Sequence, residues 1–118
     1  MQYLLLIYNN ESNADSMSPE ERGKYFQEYK LFTEDIVKHG KYKAGDALQP
    51  ISTATSVRVR DGKTLTTDGP FAETKEQLGG YYLVEANDLD EAVSIAARIP
   101  TARHGTIEVR PILVLEGM

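Results

Sequence analysis

The chain opens on Tyr3-Leu4-Leu5-Leu6-Ile7-Tyr8, an apolar run that ends abruptly in Asn9-Asn10. A short run of this kind predicts a central strand buried on both faces. A polar stretch leads to Ser18-Pro19-Glu20-Glu21, which places Ser at the N-cap, Pro at the first helical position and Glu three residues after the cap, the arrangement of a capping box. From there Tyr25, Tyr29, Phe32 and Ile36 recur at three- and four-residue spacing, and Gly40 stands where a helix takes a left-handed terminal residue. A helix over 19–39 follows.

The period then changes. Val57 and Val59 alternate with Arg58 and Arg60 up to Asp61-Gly62, a dipeptide suited to a tight hairpin turn, so 56–60 and 63–67 read as a half-exposed hairpin. Gly79-Gly80-Tyr81-Tyr82-Leu83-Val84-Glu85 reads as another strand. Asp88-Leu89-Asp90-Glu91 repeats the cap pattern before a second helix that stops at Pro100, with Leu89, Ala92, Val93, Ala96 and Ile99 as its expected buried stripe. The stretch 106–115 alternates as a last strand, with Ile107 and Val109 on one face, Glu108 and Arg110 on the other, and Pro111 limiting its ladder.

Strand, helix, hairpin region, strand, helix, strand is the order of an α+β, ferredoxin-like split βαβ antiparallel sheet with two helices on one face and an added β-hairpin. Such a sheet leaves its other face uncovered, and a second copy of the chain related by a two-fold axis is the commonest cover. No repeat, linker or low-complexity tract interrupts the pattern, so 1–118 reads as a single domain.

Composition narrows the function classes. The 118 residues contain no Cys, which excludes a disulfide framework, a thiolate nucleophile and a Cys-based metal site. Lys and Arg number 13 against 18 Asp and Glu, a net charge of −5 that argues against a nucleic-acid footprint. The run 3–8 falls far short of the ~20 residues that span a bilayer, and no basic stretch precedes it. The expectation is a cytoplasmic protein that binds neither nucleic acid nor membrane.

Chemistry-bearing residues concentrate in Asp68-Gly69-Pro70-Phe71-Ala72-Glu73-Thr74-Lys75-Glu76-Gln77-Leu78-Gly79-Gly80. Read plainly, this is a solvated connection whose glycines admit close backbone approach. The sharper reading is that Asp68, Glu73, Lys75 and Glu76 converge on a cleft where burial raises one carboxylate's pKa while another stays ionised. Period-two geometry sets Glu108 and Arg110 on one strand face about 7 Å apart, either as a solvated pair or with Arg110 holding an anionic ligand through paired donors. Tyr81 and Tyr82 point to opposite faces, so one can share a cleft while the other packs. Tyr25 and Tyr29 fit helix packing, with a ligand hydrogen bond or weak-acid role as the alternative. His39 and His104 have no partner at ligand spacing, so no metal site is expected, and His39 suits the C-terminal end of its helix. Gly40-Lys41-Tyr42-Lys43-Ala44-Gly45-Asp46 has phosphate-loop glycine spacing but puts a carboxylate where such a loop needs Lys. No cofactor fingerprint is present.

The run from Asp68 to Tyr82 resembles the signature of the DGPF-type subgroup of the YCII-related family. The similarity extends to Tyr3–Tyr8, Met17-Ser18-Pro19-Glu20-Glu21, the hairpin from Val57 to Lys63, Asp88-Leu89-Asp90-Glu91-Ala92 and Ile107-Glu108-Val109-Arg110-Pro111. It implies a ferredoxin-like fold that pairs as a dimeric α+β barrel. It implies no defined reaction, though many such genes adjoin those of extracytoplasmic-function sigma factors. In the wider family a His and an Asp are proposed as an acid–base pair. The His would lie early in the first helix, where this chain has Tyr25, Phe26 and Tyr29, so that pair does not carry over. Asp46 lies where the Asp would be sought.

Two functions compete on these residues, beside a plainer reading as a dimeric structural domain whose long polar motif fixes the loop and the dimer contact. One is a small-molecule enzyme using Asp68, Glu73 and Glu108 as acid–base groups, with Arg110, Lys75, Tyr81, Tyr25 and Asp46 binding a small anionic ligand, for elimination or isomerisation chemistry. The other is a non-catalytic homodimer that binds a ligand or a regulatory protein partner in sigma-factor-linked control.

Overall fold

A computed structural model describes residues 1–117. The opening apolar run forms β1 (Gln2–Asn9), whose alternate residues Tyr3, Leu5 and Ile7 are buried while Leu4, Leu6 and Tyr8 are only half-buried. Burial on both faces, the sequence expectation, is therefore not reached within the single chain. The polar stretch after it holds a one-turn helix, α1 (Ser12–Asp15), where sequence patterning indicated only loop. The Asn10 carboxamide oxygen accepts both the Ser12 amide, at 3.0 Å, and its hydroxyl, at 2.7 Å.

The capping box closes as its residues require. Ser18 Oγ accepts the Glu21 amide and Glu21 Oε1 accepts the Ser18 amide, each at 3.1 Å, at the start of α2 (Pro19–Lys38). At the other end Gly40, with φ +72°, lets the Lys41 amide reach back to the Ile36 carbonyl at 2.8 Å, the closure that a left-handed residue allows. His39 caps this end, its Nδ1 lying 2.8 Å from the Asp35 carbonyl oxygen.

Next come β2 (Tyr42–Ala47) and a separate hairpin of β3 (Thr55–Arg60) and β4 (Lys63–Asp68), joined by Asp61 and Gly62 at φ 52° and 73°. Two positive φ values in a two-residue loop match the twist of the flanking strands. β5 (Gln77–Glu85), α3 (Leu89–Ala97) and β6 (Thr106–Pro111) complete the order, with α3 capped by the Asp88 carboxylate on the Glu91 amide. The main sheet is antiparallel throughout in the order β2-β5-β1-β6, and β3-β4 form a second, two-stranded sheet. This mixed α+β arrangement is consistent with a ferredoxin-like fold.

Both long helices cover one face. Phe32 and Ile36 from α2, and Ala92, Ile95 and Ala96 from α3 with Ile99 beyond it, close over Tyr3, Leu5, Ile7, Tyr82 and Val84. Two expectations are corrected here. Leu89 and Val93 are about half exposed, because the face that meets the sheet runs through residues 92, 95, 96 and 99, and Val93 stands about 100° round the helix from Ala92. The last strand ends at Pro111 instead of 115, since proline brings no N–H to continue the ladder.

Ion pairs tie the helices to their surroundings: Lys41 Nζ to Glu91 Oε1 at 2.9 Å, Arg98 to Asp35 at 2.7 Å and Arg103 to Glu28 at 2.6 Å. Hydrogen bonds from these cations hold the Glu91, Asp35 and Glu28 carboxyls below their ordinary values. The folded chain thus binds these protons less tightly than the unfolded chain. The resulting stability is complete above about pH 4.5 and is lost as pH falls through the lowered folded values. Thermal midpoints compared at pH 7 and pH 3.5 are expected to show the acid sample melting lower, and equal midpoints would rule these pairs out as contributors. No helix among the described residues is long and apolar enough to cross a membrane.

Candidate active site

The helix-covered face of the sheet narrows in side-chain size toward its β2 edge. Gly45 and Ala47 on β2 and Gly80 on β5 contribute almost no bulk beneath α2, and a cleft of about 380 Å³ is left unfilled there. Glycine is required in its floor. A Cβ on Gly80 would lie 2.9 Å from the Asp46 carbonyl oxygen, and one on Gly45 would lie 2.8 Å from the Tyr82 ring, distances at which backbone or ring has to move.

The walls carry hydroxyls. Tyr29 and Thr33 enter from α2, Tyr42 from β2, Tyr82 from β5, and Thr101 from the 3-10 turn Pro100–Arg103. Thr101 is 4% exposed, and its Oγ1 lies 2.5 Å from the Tyr29 hydroxyl and 2.5 Å from the Tyr25 hydroxyl. Thr33 Oγ1 donates to the Tyr29 carbonyl at 2.9 Å and lies 2.7 Å from the Tyr82 hydroxyl. Edge-to-face contacts between Tyr25 and Tyr29 (5.4 Å) and between Phe32 and Tyr82 (5.3 Å) fix the ring planes. Burial pushes the Tyr29 and Tyr82 phenols above the ordinary tyrosine range. Both remain protonated at neutral pH, as hydrogen-bond donors and acceptors and not as bases.

Asp46 and Tyr81 border the cleft, but strand alternation turns their side chains to the opposite face, where Tyr81 OH donates to Asp46 Oδ2 at 2.7 Å. The adjacent carboxylate disfavours a phenolate and holds the Tyr81 pKa up. Tyr81 and Asp46 are the two sequence-selected residues that the structure joins directly. Tyr25 stands behind the cleft wall, one hydrogen bond beyond Thr101. Glu108 and Arg110 lie on the open face, opposite Leu6 and Leu4 of β1, and Tyr8 OH reaches Glu108 Oε1 at 3.4 Å. Asp68 ends the exposed hairpin, while Glu73 and Lys75 are exposed on the connection after it. None of these three lines the cleft. Glu76 instead accepts from the Thr106 hydroxyl at 2.8 Å, and Thr74 Oγ1 and Gln77 Nε2 brace that connection through the Glu76 and Thr74 carbonyls.

Of the carboxylates and cations that the sequence points to, then, only Asp46 borders the hydroxyl-lined cleft, and its side chain turns to the opposite face. Of the Tyr81–Tyr82 pair it is Tyr82, not Tyr81, whose side chain enters the cleft, and Thr101, Thr33, Tyr42 and His104 carry no site reading in the sequence. A signal for part of this wall was present, because Tyr25, Tyr29 and Thr33 repeat at spacing four beside the apolar stripe. Thr101 gave none, since a hydroxyl after a proline is an ordinary loop residue until the tertiary structure buries it.

The YCII-related domain family matches residues 1–116, nearly the whole chain. This chain belongs to the YCII-related family. An uncharacterized protein of Rhizobium meliloti (strain 1021) is 39% identical over 114 residues, covering 95% of this YCII-related chain and 92% of that relative. The similarity therefore spans both the cleft and the exposed hairpin. Among the described residues, no group of three or more His, Asp or Glu side chains is placed to hold a metal ion.

Proposed function

We propose that this YCII-related protein, a member of the DGPF-type subgroup, is a cytoplasmic homodimer that binds a small oxygen-bearing molecule in the cleft beneath α2. The hydroxyl wall carries this reading: Tyr29, Thr33, Tyr42, Tyr82 and Thr101 line the cleft. A ligand carbonyl or enolate oxygen is the natural acceptor for such donors. Donors fixed before the reaction stabilise negative charge developing on oxygen, the requirement of isomerisation and elimination next to a carbonyl. Because burial keeps Tyr29 and Tyr82 protonated, they supply hydrogen bonds and a proton, and a base has to come from the ligand or from a second protomer.

The dimer is supported by what one protomer leaves uncovered. Leu4, Leu6 and Leu83 lie half-buried on the open sheet face. The hairpin exposes Val57, Val59 and Leu65 by 61%, 59% and 49%, although an isolated two-stranded hairpin is marginal in water. A second copy covers both. In this reading Glu108 and Arg110 line the interface, and Asp68, Glu73 and Lys75 enter a site only through the partner. One observation favours a second reading, a regulatory ligand-binding module linked to sigma factors: among the described residues no carboxylate or imidazole side chain is directed into the cleft, and binding without turnover needs none.

Thermal stability measured against a broad set of small carbonyl, phenolic and carboxylate compounds tests the site. A ligand at ~100 times its dissociation constant adds about 2.7 kcal/mol, which is a midpoint rise of several degrees for a domain of this size. Carbonyl or phenolic compounds are expected to raise the wild-type midpoint, to raise that of Tyr29→Phe less, and to leave Arg110→Ala responding as wild type. Stabilisation by anions alone, lost in Arg110→Ala and kept in Tyr29→Phe, would move the site to the open sheet face.

A further inference from the structure

The hydroxyl wall does not end at Thr101. The Tyr25 hydroxyl, 2.5 Å from Thr101 Oγ1, also lies 3.3 Å from His104 Nε2, with the two rings 5.6 Å apart. His104 is exposed and borders a second hollow of about 470 Å³ on the far side of Tyr25. Four groups thus stand in line from solvent to cleft: His104 Nε2, Tyr25 OH, Thr101 Oγ1 and Tyr29 OH.

Counting hydrogens limits what this line can do. Each hydroxyl owns one hydrogen, so Thr101 can donate to only one of its two phenols and must accept from the other. When His104 Nε2 holds a lone pair, Tyr25 donates to it, Thr101 donates to Tyr25, Tyr29 donates to Thr101, and the remaining lone pair of Tyr29 is left for the cleft. When Nε2 carries a hydrogen, as it must in the imidazolium, His104 donates to Tyr25, Tyr25 to Thr101 and Thr101 to Tyr29. The Tyr29 hydrogen is then free to turn into the cleft.

We propose that His104, acting through Tyr25 and Thr101, sets whether Tyr29 presents a hydrogen or a lone pair to the cleft, and that this line passes protons between solvent and a cleft ligand. In the forward step the Nε2–H bond breaks as an O–H forms on Tyr25. The original Tyr25 hydrogen moves to Thr101, that of Thr101 moves to Tyr29, and that of Tyr29 moves to an acceptor oxygen in the cleft. Every hydroxyl ends with one hydrogen, the imidazole ends neutral, and the ligand gains the proton. Burial of Tyr29 suits this role, because a phenol reluctant to ionise passes a proton on without holding the charge. The charged groups around His104 are Asp15 and Arg22 across the second hollow and the neighbouring Arg103, itself paired with Glu28 at 2.6 Å. Asn9, Asn13 and Phe26, which also border that hollow, are neutral.

Delivery to a ligand rests on the cleft being a binding site, whereas the coupling of His104 to Tyr29 does not. The full chain labelled with 13C at tyrosine Cζ, with Tyr29 assigned through Tyr29→Phe, reads that coupling without any ligand. Histidines titrate between about pH 5 and 8. Across that range the Tyr29 signal is expected to shift with the same midpoint as the His104 ring carbons. Thr101→Val is expected to abolish the Tyr29 response while Tyr25 still follows His104, and His104→Gln to abolish both. Should Thr101→Val fail to fold, Tyr25→Phe interrupts the line one position earlier and is expected to silence Tyr29 equally. A wild-type Tyr29 signal that stays flat through the His104 titration overturns the proposal, as does a Tyr29 response that survives both interruptions. A cleft that binds nothing would leave the coupling intact, so the two readings fail separately.

Discussion

Truncating Leu5 to alanine is expected to destabilise the folded chain by about 2–5 kcal/mol, the range for removing a fully enclosed leucine, because the lost transfer energy is joined by the cost of the cavity left behind. Leu5 is 0% exposed. It sits on a central strand between Tyr82 of β5 and Val109 of β6, on the face covered by the helices, where sheet partners on both sides hinder collapse of the gap. A thermal midpoint lower by about 10 °C or more is the corresponding result. Urea unfolding monitored by circular dichroism measures it, and a loss below ~1 kcal/mol would mean that the helices do not close over this position.

The adjacent residue should behave in the opposite way. Leu6 points to the open face, between Tyr81 of β5 and Glu108 of β6. A lysine there has water on one side and the Glu108 carboxylate directly across the strand pair, an opposite-charge neighbour that a sheet tolerates. On the proposal that a second copy covers this face, Leu6→Lys is therefore expected to keep the secondary structure and, by putting a charge into the contact, to separate the two copies. Light scattering at micromolar concentration should report twice 13.2 kDa for wild type and 13.2 kDa for the variant. A wild-type particle of 13.2 kDa, or a variant that still pairs, would exclude the open face as the interface. On that proposal one residue step along β1 separates folding from assembly, since successive strand side chains leave opposite faces of the sheet.

The same period-two logic explains which site residues could be read in advance. Glu108 and Arg110 lie on one face, and Tyr81 and Tyr82 on opposite faces, as alternation requires. Gly79-Gly80 suggested close approach, and Gly80 is indeed pressed against the β2 backbone. What alternation could not supply was the partner of each face. Asp68, Glu73 and Lys75 share a charged, irregular segment that reads as one wall of a cleft with Arg110, but charge in a loop is stabilised equally well by water. In the folded chain those side chains are exposed. Tyr29 reads chiefly as packing because its spacing is that of the apolar stripe. A tyrosine satisfies that stripe with its ring while its hydroxyl does something else, so periodicity cannot tell the two uses apart.

By itself the sequence determined the features that depend on neighbours in the chain. These are the capping box at Ser18 and Glu21, the left-handed close at Gly40, the two-residue hairpin turn at Asp61-Gly62, the Asp88 cap, and the alternation that sorts strand residues between faces. Each is settled by backbone hydrogen bonds or steric freedom within about six residues, so local sequence is sufficient. Only the tertiary structure decided that Thr101 would be buried between Tyr25 and Tyr29, with separations of 76 and 72 residues, and that small side chains on β2 and β5 would leave a cleft beneath α2. Those features arise where distant elements pack, and the energy that buries a single hydroxyl comes from the whole apolar core around it, which leaves no trace at that position in the sequence.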